Sequence, residues 1–253
     1  MKPWENFRNP IQRDTHEDPR RFWSKIKKDS PTAIDLYSGC GGFSLGFMMA
    51  GIRVLLGVEW DTYAADTYYL NLHVPVWRVD ISKVTGSQIR QHAGLKPSDD
   101  VDVVMGGPPC QSFSTSGKRK HGDLRDNHVT HFIQLVGEIF PKMFIMENVP
   151  GLLSKDGGKW HRAVLELADL LGYNVHWQKL DAVDYGVPQH RVRVFYFGIR
   201  KGFGKTALCV DAESSDPEDL GRILEAQGDP EMNWQLVKIP IDPLIDDYLQ
   251  EAP

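Results

Sequence analysis

Four short segments of this 253-residue chain carry residue types able to make and break bonds. GGPPCQSFS, residues 106–114, holds a cysteine behind two prolines, with Gln111, Ser112 and Ser114 after it. A lone cysteine is usually a small buried hydrophobe, and Cys40 and Cys209 are read that way by default. Cys110 differs in context, because a rigid polar loop is where a thiolate nucleophile can be presented. MENVPG, residues 146–151, sets the carboxylate of Glu147 beside Asn and Pro, a pattern that by itself also suits a loop cap. QHRVR, Gln189 to Arg193, spaces two arginines so that on a strand Arg191 and Arg193 share one face. The bland alternative there is an exposed basic strand edge. DLYSGCGG, residues 35–42, is a glycine-rich turn whose backbone can approach a ligand closely. It is not the dinucleotide G-x-G-x-x-G pattern, since Ser44 stands where the third glycine would be.

The elements that must position these segments are legible as alternating apolar runs. Strand-like runs fall at 33–37, 53–60, 74–80, 101–106 and 142–149, with helix-like stretches near 43–50, 61–72, 83–92, 127–139 and 159–171. Continuous Val/Ile/Leu runs predict strands covered on both faces. Strand–helix alternation at this spacing predicts an α/β fold with a doubly wound, mostly parallel sheet. Runs 174–180 and 192–199 are separated by only eleven residues, including Gly186 and Pro188. That is too short for a parallel crossover, so the final pair is expected to be antiparallel. Each chemical segment then follows or enters a strand. Glu59 ends the second strand, eighteen residues after Gly41, where a carboxylate can take ribose hydroxyls. Asp80 ends the third, within reach of an adenine amino group. Two acids at successive strand ends favour a ligand site over a simple turn, because open α/β sheets bind at carboxyl strand ends.

Composition narrows the class. The chain is 41% hydrophobic and 25% charged, enough apolar content for a packed core. No run of 18 apolar residues occurs, so no membrane span is expected. Three cysteines suit neither a disulfide framework nor a Cys-rich zinc site, and no metal is expected. A reducing, cytoplasmic home, nucleoid-associated in a prokaryote, is the expectation. Net charge is −5, distributed as +3 over residues 1–30, zero over 31–200 and −8 over 201–253, so bulk charge does not recruit a polyanion. We read 1–30 as an N-terminal extension in which Phe22, Trp23 and Ile26 face inward, 31–200 as a catalytic domain, and 201–253 as an acidic segment.

The order and spacing of the four segments resemble the C5-cytosine-specific DNA methyltransferase family over about residues 32–200. DLYSGCGG looks like that family's cofactor loop, with Tyr37 where Phe is more frequent. GGPPCQSFS looks like its catalytic loop, ENVPG its glutamate motif, and QHRVR its Gln-x-Arg-x-Arg motif. The resemblance implies a Rossmann-like methyltransferase fold, S-adenosylmethionine as methyl donor (S-adenosylhomocysteine as product), and C5 of a flipped cytosine in DNA as acceptor. It implies that the Cys110 thiolate adds at C6 and that Glu147, protonated, serves N3. Arg191 or Arg193 would bind O2 and a flanking phosphate. Around the cofactor it implies Tyr37, Ser38, Gly39, Cys40, Gly41, Gly42, Glu59, Trp60, Asp80, Ile81 and Pro108. Gln111, Ser112, Ser114 and Gln189 would face the substrate, and Arg125 and Asn127 match a further cofactor segment loosely. The base that removes the C5 proton is not identified.

Residues 201–253 depart from the family pattern, with no Gly-Asn pair and little that reads bases. The expectation is one piece of a split enzyme, whose second polypeptide carries target recognition and docks on the 234–241 and 244–249 stretches. Two readings compete: a tRNA cytosine methyltransferase on the same scaffold, and a catalytically silent scaffold. Intact Cys110, Glu147 and Arg193 disfavour the latter.

Overall fold

The computed structural model describes residues 26–109, 128–185, 187 and 189–202. Cys110, Gln111, Ser112, Ser114, Arg125, Asn127, Cys209, Phe22 and Trp23 lie outside the described residues. Seven strands form one sheet: β1 (Thr32–Leu36), β2 (Arg53–Glu59), β3 (Val76–Arg78), β4 (Val103–Gly106), β5 (Met143–Asn148), β6 (Tyr173–Asp181) and β7 (Val192–Arg200). The order across the sheet is β3-β2-β1-β4-β5-β7-β6. The first five strands pair in parallel, and β7 runs antiparallel to both β5 and β6. The ten residues between Asp181 and Val192 are too few for a crossover, and the two strands form a hairpin.

Helices α1 (Gly42–Met49) and α2 (Thr62–Leu72) bury Phe47, Met48, Tyr68 and Leu72 against Ala33, Val103, Met105, Ile145 and Phe197. Ile26 is partly buried in that same cluster. Helices α4 (His128–Ile139) and α5 (Lys155–Leu170) bury Phe132, Ile133, Val136 and Val164 against Ile34, Leu36, Val104, Phe144 and Tyr196, with Ile89 of α3 (Gly86–His92) alongside. Both faces of the sheet are thus covered, which is why its central strands read as unbroken apolar runs. Alternation assigns the faces: residues 33, 103, 105, 145 and 197 look toward α1 and α2, while 34, 36, 104, 144 and 196 look the other way.

The order reverses between β1 and β4, whose carboxyl ends lead into the glycine turn and into Gly107-Pro108-Pro109 respectively. Such a switch point opens a crevice above the sheet.

Candidate active site

Three charged side chains enter this crevice from the α1-facing side. Asp35 in β1, Glu147 in β5 and Arg193 in β7 share the parity of the apolar residues that contact α1 and α2. A pocket of about 360 Å³ lies there, lined by Asp35, Tyr37, Ser38, Gly42, Phe43, Gly107, Glu147, Arg191 and Phe195. Phe43 and Phe195 form an edge-to-face pair with centroids 6.2 Å apart.

Arg193 Nε donates to Glu147 Oε1 at 2.8 Å, an ion pair about one quarter exposed. Burial pushes the Glu147 carboxyl above the usual range, and the positive charges of Arg193 and Arg191 pull it partly back. Strand β7 begins at Val192, so Arg191 precedes the strand and does not lie on it as its spacing suggested. The turn still brings both guanidinium groups toward Glu147. Asp181 Oδ1 accepts from the Arg191 amide at 2.7 Å and holds that turn to the end of β6. Gln189 is exposed and does not line the pocket.

The glycine turn is built by backbone geometry. Gly39 and Gly41 have φ of +53° and +96°, and a Cβ on Gly41 would stand 2.5 Å from Leu72 Cδ1. Tyr37 also adopts a left-handed φ of 58°, at a cost of about 1–2 kcal/mol. Its hydroxyl lies 3.2 Å from His128 Nδ1 in α4. Cys40, expected to be a buried hydrophobe, is exposed: a turn bracketed by two left-handed glycines turns outward and cannot bury it. Ser38 is buried, and its hydroxyl has no hydrogen-bond partner among the described residues.

The two acids at successive strand ends behave differently. Glu59 is fixed by three backbone amides: Gly39 N donates to Oε2 at 2.8 Å, and Trp60 N and Asp61 N donate to Oε1 at 2.9 Å. That ties the end of β2 to the glycine turn. Asp80 does not end β3, which stops at Arg78 because its partner β2 stops at Glu59. It caps the 3-10 turn Ile81–Lys83, accepting from Ser82 Oγ at 2.7 Å and pairing with Lys83 at 3.2 Å. The Ser82 hydrogen bond, with Lys83, holds its carboxyl below the usual range. Ile81 is buried and its carbonyl accepts from His131 Nε2 at 3.0 Å. Trp60, next to Glu59 in the chain, is 77% exposed, an aromatic face open to a stacking partner.

Sequence reasoning missed a buried polar network beneath the pocket. Ser44 Oγ donates to Asp35 Oδ2 at 2.6 Å and lies 2.7 Å from the Tyr68 hydroxyl. Asp35 Oδ1 has no partner among the described residues. Burial raises the Asp35 carboxyl to about 7, opposed by the Ser44 hydrogen bond and reinforced by the charge of Glu59. The signal was present, since Asp35 is a charge inside an apolar strand. Asn148 was missed as well: its Nδ2 donates to the Pro108 carbonyl at 2.8 Å.

This donor set suits a ligand that joins an aromatic base, vicinal hydroxyls and a cationic tail. Ser38 and Asp35, each with an unpartnered oxygen, line the pocket, whereas Glu59, Trp60 and Asp80 are not on its lining and Glu59 is tied to it through Gly39 of the glycine turn.

The C-5 cytosine-specific DNA methylase model matches residues 32–244. Type II methyltransferase M.AgeI of Thalassovita gelatinovora is 45% identical over 170 residues, 67% of this chain and 39% of that protein. Type II methyltransferase M1.HphI of Haemophilus parahaemolyticus is 41% identical over 177 residues, 68% of this chain and 47% of its own. Type II methyltransferase M.AquIA of Picosynechococcus sp. is 40% identical, covering 67% of this chain and 72% of that protein. This chain therefore spans less than half the length of the first two relatives. Among solved structures, a putative DNA modification methyltransferase encoded within an E. coli prophage superposes with TM-score 0.63 at 32% identity, over 74% of this chain and 52% of that one. The S. pombe Dnmt2 methyltransferase, at 21% identity and TM-score 0.59 over 74% and 57%, shares the fold.

Proposed function

This chain belongs to the C-5 cytosine-specific DNA methylases, and from that premise we propose that it transfers a methyl group to C5 of cytosine in DNA. The observation that carries the reading is the placement of Glu147. It is the penultimate residue of β5, beside Gly107, which stands three residues before Cys110, in a pocket that also reaches the glycine turn.

S-adenosylmethionine, when bound, supplies an electrophilic methyl group. Trp60 and Tyr37 would pack its adenosine, Glu59 would take the ribose hydroxyls, and Asp80 with Ile81 would border the adenine. Ser38, the amides of Gly39 to Gly42, and Pro108 would surround the remainder. Cytosine C5 is a poor nucleophile until a nucleophile adds at C6 and breaks the ring's conjugation. Cys110 provides it: the thiolate forms an S–C6 bond, and the displaced electron pair moves into the ring toward N3 and O2. Glu147, in its protonated form, would donate its proton to N3 and keep that charge from building up; burial moves the carboxyl in that direction. Arg193 takes the carboxylate so formed as its ion-pair partner, and Arg191, on the pocket lining, can reach O2 or a phosphate. C5 thereby becomes enamine-like and accepts the methyl group. Loss of the C5 proton to a base then restores the C5=C6 double bond and expels the Cys110 thiolate, and N3 returns its proton to Glu147. The target ring must leave the helical stack to reach such a crevice.

Target recognition, on this reading, comes from a second polypeptide. Purified alone, the chain is expected to transfer little methyl to mixed-sequence duplex DNA. Strong sequence-specific transfer by the lone chain would refute the partner. The chemistry is tested with a duplex carrying 5-fluorocytosine, whose C5 substituent cannot leave as a proton. A stable adduct on the Cys110 peptide is expected with wild type and absent in Cys110→Ser. Full activity of Cys110→Ser, or transfer to tRNA but not to DNA, would sink this assignment.

A further inference from the structure

The root of the cysteine-bearing loop has an unusual mechanical problem. Pro108 and Pro109 both lack an N–H, so two consecutive residues can donate no backbone hydrogen bond to β5 or to anything else. What remains to grip is a carbonyl. Asn148, 3% exposed at the end of β5, donates from Nδ2 to the Pro108 carbonyl at 2.8 Å. Its Oδ1 accepts from the Val149 amide at 2.9 Å. These two partners fix the amide's orientation, since a flipped amide would set oxygen against the Pro108 carbonyl and NH₂ against the Val149 N–H.

Strand parity makes this a two-sided clamp. Glu147 and Asn148 are consecutive and point to opposite faces of β5. Glu147 lies along Gly107, where an added Cβ would stand 3.2 Å from Oε2. Asn148 reaches Pro108 from the other face. The same two strand-end residues therefore carry the acid and hold the chain two residues before the cysteine.

We infer that Asn148 is a positioning residue for methyl transfer, fixing the loop root at Pro108 so that the nucleophile and Glu147 meet the same cytosine ring. This rests on the reading of Cys110 as the nucleophile. Asn148 touches no reacting atom. Its contribution is registry between loop and strand, and misplacement of a reacting group by about 1 Å can cost on the order of 10²-fold in rate.

The test uses the full chain, with its second polypeptide where methyl transfer requires one, and the 5-fluorocytosine duplex. Asn148→Asp keeps the acceptor for Val149 but turns a carboxylate oxygen toward the Pro108 carbonyl. Asn148→Ala removes both contacts and stands in should the Asp variant fold poorly. Adduct formation is followed under single turnover and normalised to the active fraction, with S-adenosylmethionine affinity and melting temperature measured on the same samples. The expected result is a rate per active site about 10²-fold lower in either variant, with cofactor and DNA affinities within about threefold of wild type. A purely structural Asn148 would lower the melting temperature and the active fraction but leave the rate per active site unchanged, and that result overturns the inference alone. No adduct from wild type would overturn both the inference and the assignment of Cys110 beneath it.

Discussion

Replacing Asp35 with asparagine should change how the stability of this protein depends on pH. The carboxyl is 1% exposed, and burial raises its pKa from 3.8 to about 7. Between those values the folded chain holds a proton that the unfolded chain has released. Stability from this group is therefore complete below about pH 3.8 and is lost progressively as pH rises toward 7. Above 7 both states are ionised and the dependence ends. The full span corresponds to roughly 4 kcal/mol, of which about 3 kcal/mol falls between pH 5 and pH 8. The amide introduced by Asp35→Asn does not titrate in this range, and its oxygen can still accept from Ser44. Urea unfolding of wild type and Asp35→Asn at half-unit pH intervals isolates the effect, because every other titrating group is common to both. The variant should gain on the wild type by about 3 kcal/mol from pH 5 to pH 8, with most of the change complete by pH 7. Parallel stability profiles would show that the buried carboxyl ionises freely, and the argument from its unpartnered Oδ1 would fail.

The remaining expectations concern the reaction and the cofactor. Glu147→Gln should lower turnover by about 10²–10⁴-fold with S-adenosylmethionine affinity nearly intact, the pattern of an interaction needed only in the transition state; unchanged turnover would remove Glu147 from the chemistry. Activity should fall as pH rises through the Glu147 pKa, and since Arg193 lowers that pKa, Arg193→Ala should move this alkaline limb upward; a downward move would reverse the sign of the interaction. Glu59→Ala should weaken S-adenosylmethionine binding by about 10–100-fold in calorimetry, as the charged acceptor of two hydroxyls is lost. Equal affinities would exclude Glu59 from the site.

How far the sequence could be read depended on the range of the forces involved. The parallel strands were legible because burial on both faces demands unbroken apolar runs, as in VDVVMG and KMFIMENV. The antiparallel β6–β7 hairpin followed from chain length alone. Asp80 lies two residues past the strand it is expected to end: the apolar run 74–80 continues past Arg78, but pairing with β2 does not, and the freed acid turns to cap a 3-10 helix instead. Cys40 departs for a similar reason. Its residue type favours burial, whereas the left-handed glycines flanking it face the turn outward.

By itself the sequence determined the α/β alternation, the four chemical segments and the strand ends on which they sit, because periodicity and turn chemistry act over a few residues. Only the tertiary structure decided that Asp35, Glu147 and Arg193, far apart along the chain, share one face of one sheet. That outcome depends on strand order and register, which no local pattern encodes. It likewise decided that Ser44 closes on Asp35, that Asn148 grips Pro108, and that burial, not residue type, sets which of these carboxyls keeps its proton.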